Sequence, residues 1–369
     1  MIPLATPLEQ FRAHRSAITA AVTRVLEGGG YILGKEVESF ETEFARYCGT
    51  RHAIGLNSGT DALVLGLKAL GVKAGDKVVT VAHTALATIA ATIATGATPV
   101  LVDVDPATHT LDVAKLASAL DPSVRAIVAV HLYGNMADLP AILAIAGRNG
   151  IPVIEDCAQS TGAKLGGKRA GSMGALGCFS FYPTKNLGAI GDGGMLVTND
   201  AALATRVARL RQYGWDAGRA TEEPGFNSRL DPLQAAILGV KLPHLDADNT
   251  RRIEIASRYS MALQGLPLKV PAARADAAHV FHLYVVECDD RDALRESLQR
   301  AEIQSAVHYT PATHQQGGYD RIVVKSPGGL AVTEKLVGRI LSLPMYPELT
   351  DAQVDAVIAA VQRHYARAG

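Results

Sequence analysis

Between Glu36 and Tyr47 the residues Val37, Phe40, Phe44 and Tyr47 recur at spacings of three and four and share one face, which predicts an amphipathic helix. A short run, Ala53–Leu56, follows, and Asn57-Ser58-Gly59-Thr60-Asp61 then opens a helix rich in alanine and leucine. Beyond it come short apolar runs without strict alternation: Val78–Val81, Pro99–Val104, Ala126–Leu132, Ile151–Glu155, Gly177–Phe181 and Met195–Thr198. Helical stretches such as Leu111–Leu120 and Asp138–Arg148 separate them. Strands without a polar face belong to a mainly parallel sheet covered by helices on both sides, so the expected class is α/β.

From about Ala201 to Arg258 the pattern turns helical and rich in arginine. A second unit is expected after it: a strand at Val280–Glu287, a helix at Asp290–Ala301, a strand at Ile303–His308 and closing helices. Thr350-Asp351-Ala352-Gln353 fits a capping box and predicts a last helix over 351–367. Gly317-Gly318 and Pro327-Gly328-Gly329 bracket an expected mobile loop. The division reads as a large α/β domain over 1–245 and a smaller α+β domain over 246–369.

Composition narrows the function. Lys plus Arg and Asp plus Glu both number 36, so zero net charge gives no reason to expect nucleic acid or an anionic membrane as partner. The uncharged run Thr84–Val102 is too polar and too broken for a spanning helix, with Thr84, Thr88, Thr92, Thr95, Gly96, Thr98 and Pro99 in it. It reads instead as a buried helix, a turn at Gly96 and a buried strand. Met1–Phe11 carries Glu9 and lacks the charged and apolar regions of a signal peptide. Cys48, Cys157, Cys178 and Cys288 lie far apart, so reduced thiols are expected and a metal site is not. A cytoplasmic enzyme fits these features.

Three elements near predicted strand ends carry chemistry. Gly59-Thr60 at a helix mouth offers free N–H groups and a hydroxyl to a phosphate, although the same residues serve as ordinary N-caps. The apolar strand ending in Glu155-Asp156 places Asp156 where ligands bind in open α/β sheets; a protonated pyridine nitrogen would satisfy it, as would a helix-cap role. Cys178-Phe179-Ser180-Phe181-Tyr182-Pro183-Thr184-Lys185-Asn186, followed by Gly191-Asp192-Gly193-Gly194, puts a lysine after an aromatic strand. Desolvation there would free the amine for a Schiff base, while a plain surface lysine is the alternative.

In Asn57–Leu63, Glu155–Gln159, Ser180–Gly194 and Phe226–Asp231 the chain resembles the PLP-dependent nucleotide-sugar aminotransferases, the DegT family. The likeness runs from Gly30-Tyr31-Ile32-Leu33-Gly34 to Leu343-Pro344-Met345-Tyr346-Pro347. It implies the aspartate-aminotransferase-like fold (fold type I), with pyridoxal 5'-phosphate (PLP) as cofactor and pyridoxamine phosphate as its second form. Lys185 would then be the Schiff-base and proton-transfer residue, Asp156 the partner of the pyridine nitrogen and Gln159 the neighbour of the ring. Gly59, Thr60 and Ser180 would hold the phosphate, with Asn227 reaching it from the partner subunit of a homodimer. Where the family carries an aromatic residue against the ring, Thr84-Ala85-Leu86-Ala87-Thr88 has alanine, and His83 is the expected replacement. Tyr182, Arg219, His308, Tyr309 and His314 are the expected substrate contacts.

The resemblance implies transamination of a nucleotide-linked keto sugar, a dTDP-3-keto-6-deoxyhexose, with L-glutamate as donor. Other readings are a 4-keto-sugar or cyclitol aminotransferase and a non-catalytic regulator that binds PLP or a sugar nucleotide. Lys185 argues against the family's dehydratases, in which histidine stands at that place.

Overall fold

Apolar runs that do not alternate must be covered on both faces, and they form the centre of the molecule. The computed structural model describes residues 1–272, 274 and 276–366. Its main sheet uses β1 (His52–Leu56), β2 (Lys77–Val81), β3 (Thr98–Val102), β4 (Val124–Val130), β5 (Val153–Asp156), β6 (Leu176–Ser180) and β7 (Gly194–Thr198). Two elements of the C-terminal unit, β8 (Tyr284–Glu287) and β10 (Ile340–Leu343), pair antiparallel by themselves. Between them in sequence, β9 (Val324–Lys325) returns to the edge of the main sheet, whose order is β1-β7-β6-β5-β4-β2-β3-β9. The pairs β1–β7 and β7–β6 are antiparallel. The rest are parallel.

The helix predicted from its apolar face spans Lys35–Cys48. Its Phe44 meets Phe179 of β6 edge-on, with ring centroids 5.0 Å apart, and Phe40 meets Phe181 at 5.6 Å. This cluster anchors the strand that leads to Lys185. The Thr84–Val102 run folds as read, into a helix over Leu86–Ala94, a turn at Gly96 and β3. Among the described residues no helix is long and apolar enough to cross a membrane.

A second core gathers Tyr259, Tyr284, Leu294, Leu341 and Val357 between the β8–β10 pair and the helices Leu245–Leu263, Arg291–Arg300 and Asp351–Ala366. The capping box is present: Gln353 N–H donates to Thr350 Oγ1 at 3.2 Å, and Thr350 N–H to Gln353 Oε1 at 3.0 Å.

The expected boundary at residue 245 falls at the first residue of the helix Leu245–Leu263, just after the helix Pro232–Lys241, and two segments cross it. Ile2 joins the second core, and Thr333 bonds to Asp103 on the large sheet. The strand expected at Ile303–His308 does not form. That segment makes only single bridges, Ile303 to Ile2 and Ala306 to Ser342. It then swings to the large sheet, where the Thr313 hydroxyl donates to the Ala82 carbonyl at 2.9 Å. In the loop bracketed by glycines, β9 pins the chain to β3.

Candidate active site

The helix Gly59–Ala69 begins where the Ser58 hydroxyl accepts the Asp61 N–H at 3.1 Å. The N–H groups of Gly59 and Thr60, in the first turn, have no intrahelical acceptor and point out of the helix mouth with the positive end of its dipole. Glycine is required here by close approach. A Cβ on Gly59 would lie 2.6 Å from the Cβ of Ser180, at the end of β6. The helix-mouth N–H groups and Ser180 are thus brought together, an arrangement suited to an anion.

Asp156 ends β5, the neighbour of β6. It is buried, and its carboxylate receives the Thr88 hydroxyl at 2.9 Å and the Ala158 N–H at 3.2 Å. Burial raises its pKa, and these two bonds, with the Lys185 and His131 charges, offset the shift only in part. A carboxylate so placed is short of a cation. Lys185 lies in the turn after β6, its N–H bonded to the Tyr182 carbonyl at 2.8 Å. Desolvation lowers its amine to about 8, against the opposing pull of Asp156. Far more of the amine is then neutral near physiological pH than in an ordinary lysine, and the neutral amine is the state a Schiff-base nucleophile needs.

Gln159 is tied at both ends of its amide, to the Tyr133 N–H at 2.7 Å and to the Tyr309 hydroxyl at 2.8 Å. His308 shares a hydrogen bond of 2.8 Å with Ser342, and burial together with Lys185 lowers its pKa to about 4. Burial raises the Tyr309 phenol to about 12, so it remains protonated. A phosphate cradle, a carboxylate short of a cation and a poised amine on adjacent strand ends fit the phosphate, pyridinium and aldehyde of PLP.

Not every expected residue joins this group. His83 is the main correction: the residue is 0% exposed, and its ring packs edge-on against His109 and Tyr133. A ring with no open face cannot stack on a bound cofactor. His314 has its own partners. It is buried, its Nε2 lies 3.1 Å from Glu334, and Lys325 pairs with the same carboxylate. The charges that act most on it are Lys325, Glu334 and Asp103. Tyr182 and Asn227 are exposed, and Arg219 is exposed with its guanidinium over the Trp215 ring.

Thr88 and Tyr133 were not singled out from the sequence as site residues. Thr88 falls in a stripe, Thr84, Thr88 and Thr92, at helical spacing in an otherwise apolar segment, a usable signal for a buried hydroxyl with a partner. Tyr133 follows the carboxyl end of β4, the position that drew attention to Asp156 on β5. One buried group could suggest a metal: His131, Glu155 and Cys157 hold ligand atoms within 4.8 Å of one another. The His131 Nδ1 accepts the Ala137 N–H at 3.1 Å, so its Nε2 donates to Glu155 at 3.0 Å. Glu155 also takes the N–H groups of Gly171, Met173 and Gly174 at 2.7–2.8 Å, which uses its lone pairs.

Residues 13–362 match the DegT/DnrJ/EryC1/StrS aminotransferase family. The chain is 42% identical, over 97% of its length and 98% of the relative's, to the UDP-N-acetyl-3-dehydro-alpha-D-glucosamine 3-aminotransferase of Acidithiobacillus ferrooxidans. It is 44% identical to the dTDP-3-amino-3,4,6-trideoxy-alpha-D-glucose transaminase of Streptomyces venezuelae, covering 94% of this chain and 92% of that one. Among solved structures, S. venezuelae DesV superposes with a TM-score of 0.95 at 42% identity, covering 98% of each chain. The large parallel sheet and its helices are the fold of these aminotransferases, and the chain belongs to the DegT/DnrJ/EryC1/StrS aminotransferase family.

Proposed function

We propose that this chain is a PLP-dependent aminotransferase that transfers an amino group from L-glutamate to C3 of a keto sugar linked to a nucleoside diphosphate, a dTDP-3-keto-6-deoxyhexose. The observation that carries the reading is Lys185, a desolvated amine beside an Asp156 carboxylate that lacks a full set of partners. The sugar class is supported by relatives whose names place the amino group at C3 of UDP- and dTDP-linked sugars. The family and the donor set call for PLP.

When bound, the cofactor supplies an electron sink for the carbanion formed as the donor loses its α-proton. Asp156 holds the pyridinium proton and keeps that sink effective. The Gly59 and Thr60 N–H groups and the Thr60 and Ser180 hydroxyls bind the phosphate and fix its position. Lys185 Nζ, through the neutral fraction that a pKa of about 8 leaves, would take the proton from the donor's α-carbon and pass it to the cofactor, and would move a proton the opposite way, from the cofactor to the sugar carbon, in the second half-reaction. Gln159 orients the ring from the side. His308 and Tyr309 face the sugar, and Tyr182 and Arg219, open to solvent, reach toward its diphosphate. In a homodimer, Asn227 crosses to the partner's phosphate.

The test is an absorbance spectrum of the purified protein before and after L-glutamate, followed by assays with dTDP- and UDP-linked 3-keto and 4-keto sugars. A visible band that glutamate bleaches, and that a 3-keto sugar restores with formation of an amino sugar, is the expected result. No band after incubation with PLP would overturn the assignment. A band with no turnover on any sugar would favour a binding protein.

A further inference from the structure

Tyr133 is a buried group that the proposed chemistry leaves unused. It follows β4 with φ of 61°, a left-handed conformation that non-glycine residues rarely adopt. Its hydrogen bonds show what that conformation achieves. The N–H reaches Gln159 Oε1 at 2.7 Å, and the carbonyl accepts the Leu283 N–H at 3.3 Å. The hydroxyl bonds to the His308 carbonyl and lies 2.6 Å from His83 Nε2. Since Gln159 Nε2 reaches the Tyr309 hydroxyl at 2.8 Å, a closed circuit ties Tyr133 to the His308–Tyr309 segment from two sides.

The direction of each bond follows from what each group is able to do. A backbone N–H only donates, so the end of the Gln159 amide facing Tyr133 is its oxygen. The other end is then the NH2, and the Tyr309 oxygen must accept from it. The Tyr309 hydroxyl hydrogen is left over, with no acceptor among the described residues. At the opposite end, the His308 carbonyl only accepts, so Tyr133 spends its one hydroxyl hydrogen there. His83 must therefore carry its proton on Nε2 and donate it to the Tyr133 oxygen. Its Nδ1 is the bare nitrogen, and that atom is buried without a partner among the described residues. Burial and the neighbouring His109 hold the His83 pKa at about 3, which keeps the ring in this neutral form.

We infer that His83 and Tyr133 are positioning residues that fix the Gln159 amide and the His308–Tyr309 segment, so that the Tyr309 hydroxyl stands as a free donor to an oxygen of the bound keto sugar. The inference rests on the active-site reading above and deepens it: Tyr309 becomes a specificity contact whose polarity is set by two residues that never touch the substrate.

The test uses the full-length, PLP-loaded enzyme and the variants His83→Leu, His83→Gln and Tyr309→Phe. Three quantities are read: KM for the keto sugar, the single-turnover rate with L-glutamate, and PLP affinity by absorbance titration. Loss of the donor at Tyr309, or of its support, should raise the sugar KM about tenfold. The glutamate half-reaction and the PLP affinity should change by clearly less than the sugar KM, because the phosphate cradle, Asp156 and Lys185 are untouched and Gln159 keeps its bond from the Tyr133 N–H. His83→Gln places an amide N–H near the position of Nε2 and should restore KM to within about threefold of wild type. Equal behaviour of His83→Leu and His83→Gln would overturn the inference, as would an unchanged KM in Tyr309→Phe. A parallel fall in both half-reactions and in PLP affinity would also overturn it, because that is a general loss of structure. If His83→Leu does not fold, Tyr309→Phe decides. Lys185→Ala runs alongside: retained turnover there would sink the active-site reading itself, separately from the circuit.

Discussion

Glu155 and Asp156 are neighbours at the end of one strand, both buried, and they have opposite electrostatic fates. Burial pushes the Glu155 carboxyl up, but the bond from His131 and the N–H groups of Gly174 and Gly171 outweigh it, so the residue lies below the usual carboxylate range. Its neighbour Asp156 points to the other face of β5, where one hydroxyl and one N–H leave burial dominant and the pKa raised. The difference teaches where to look for function in a buried charge. A buried carboxylate whose lone pairs are all taken is structural, and one left short of partners waits for a cation.

The largest effect expected concerns the cation side of that open site. Lys185→Ala should lower turnover by at least about a thousandfold, since the variant loses both the nucleophile and the proton carrier. The fold should persist, because the substitution removes a desolvated amine that forms no salt bridge among the described residues. Circular dichroism and a turnover assay check both halves, and near-normal turnover would refute the assignment of Lys185.

The two carboxylates should then separate under isosteric substitution. Asp156→Asn should cost about a hundredfold or more in turnover while leaving the apoprotein as stable as wild type or more so, because it discharges a group whose burial is poorly compensated. Glu155→Gln should do the reverse. It breaks the bond with His131 and unbalances three N–H contacts, for a loss of about 3 kcal/mol in stability. Turnover per folded molecule should stay within about threefold. Denaturant melts of the apoproteins, paired with activity assays, decide it. Equal losses of stability in both variants would break the comparison.

A smaller effect concerns pH. The rate at which the apoprotein takes up PLP should climb about tenfold per pH unit until Lys185 has lost its proton, then level near pH 8. An ordinary lysine would keep climbing toward its unperturbed value of about 10.4. Because the Asp156 carboxylate pulls the amine upward, Asp156→Asn should move the plateau to lower pH. Stopped-flow absorbance across a pH series reads this, and a plateau that does not move would show that the two groups are uncoupled.

Much of this site is legible in the sequence because local rules placed it. Gly59, Thr60, Asp156, Ser180 and Lys185 each sit at a strand end or a helix mouth, and a parallel sheet brings all such ends to one edge. Features that depend on distant partners were not legible. His83 read as a ring able to stack, but its burial comes from Tyr133, 50 residues along the chain. His314 read as a pocket residue, but its partner Glu334 lies on a helix closing back over the large sheet. The apolar stretch Ile303–His308 has strand character, but it crosses from one core to the other and meets single bridges instead of a free edge. Asp156 was read as a strand-end ligand group, whereas the closed partner set of Glu155 depends on a loop at Gly171–Gly174 that no periodicity announces.

The smallest effect concerns the one proposed contact that a single chain does not make in its own site. Asn227 is exposed, next to Ser228, whose hydroxyl donates to Asp61 at 2.7 Å beside the helix mouth of its own chain. If Asn227 serves the partner's phosphate, Asn227→Ala should weaken PLP binding about tenfold, the effect of one lost hydrogen bond to a charged group. A mixed dimer makes the test specific. In a heterodimer of Lys185→Ala with Asn227→Ala, the chain that keeps Lys185 faces a partner that keeps Asn227, so one site is whole. Its PLP affinity should match wild type, measured at PLP concentrations where the Asn227→Ala homodimer is mostly empty. If the heterodimer binds no better than that homodimer, Asn227 acts within its own chain, and the open site is completed without a partner.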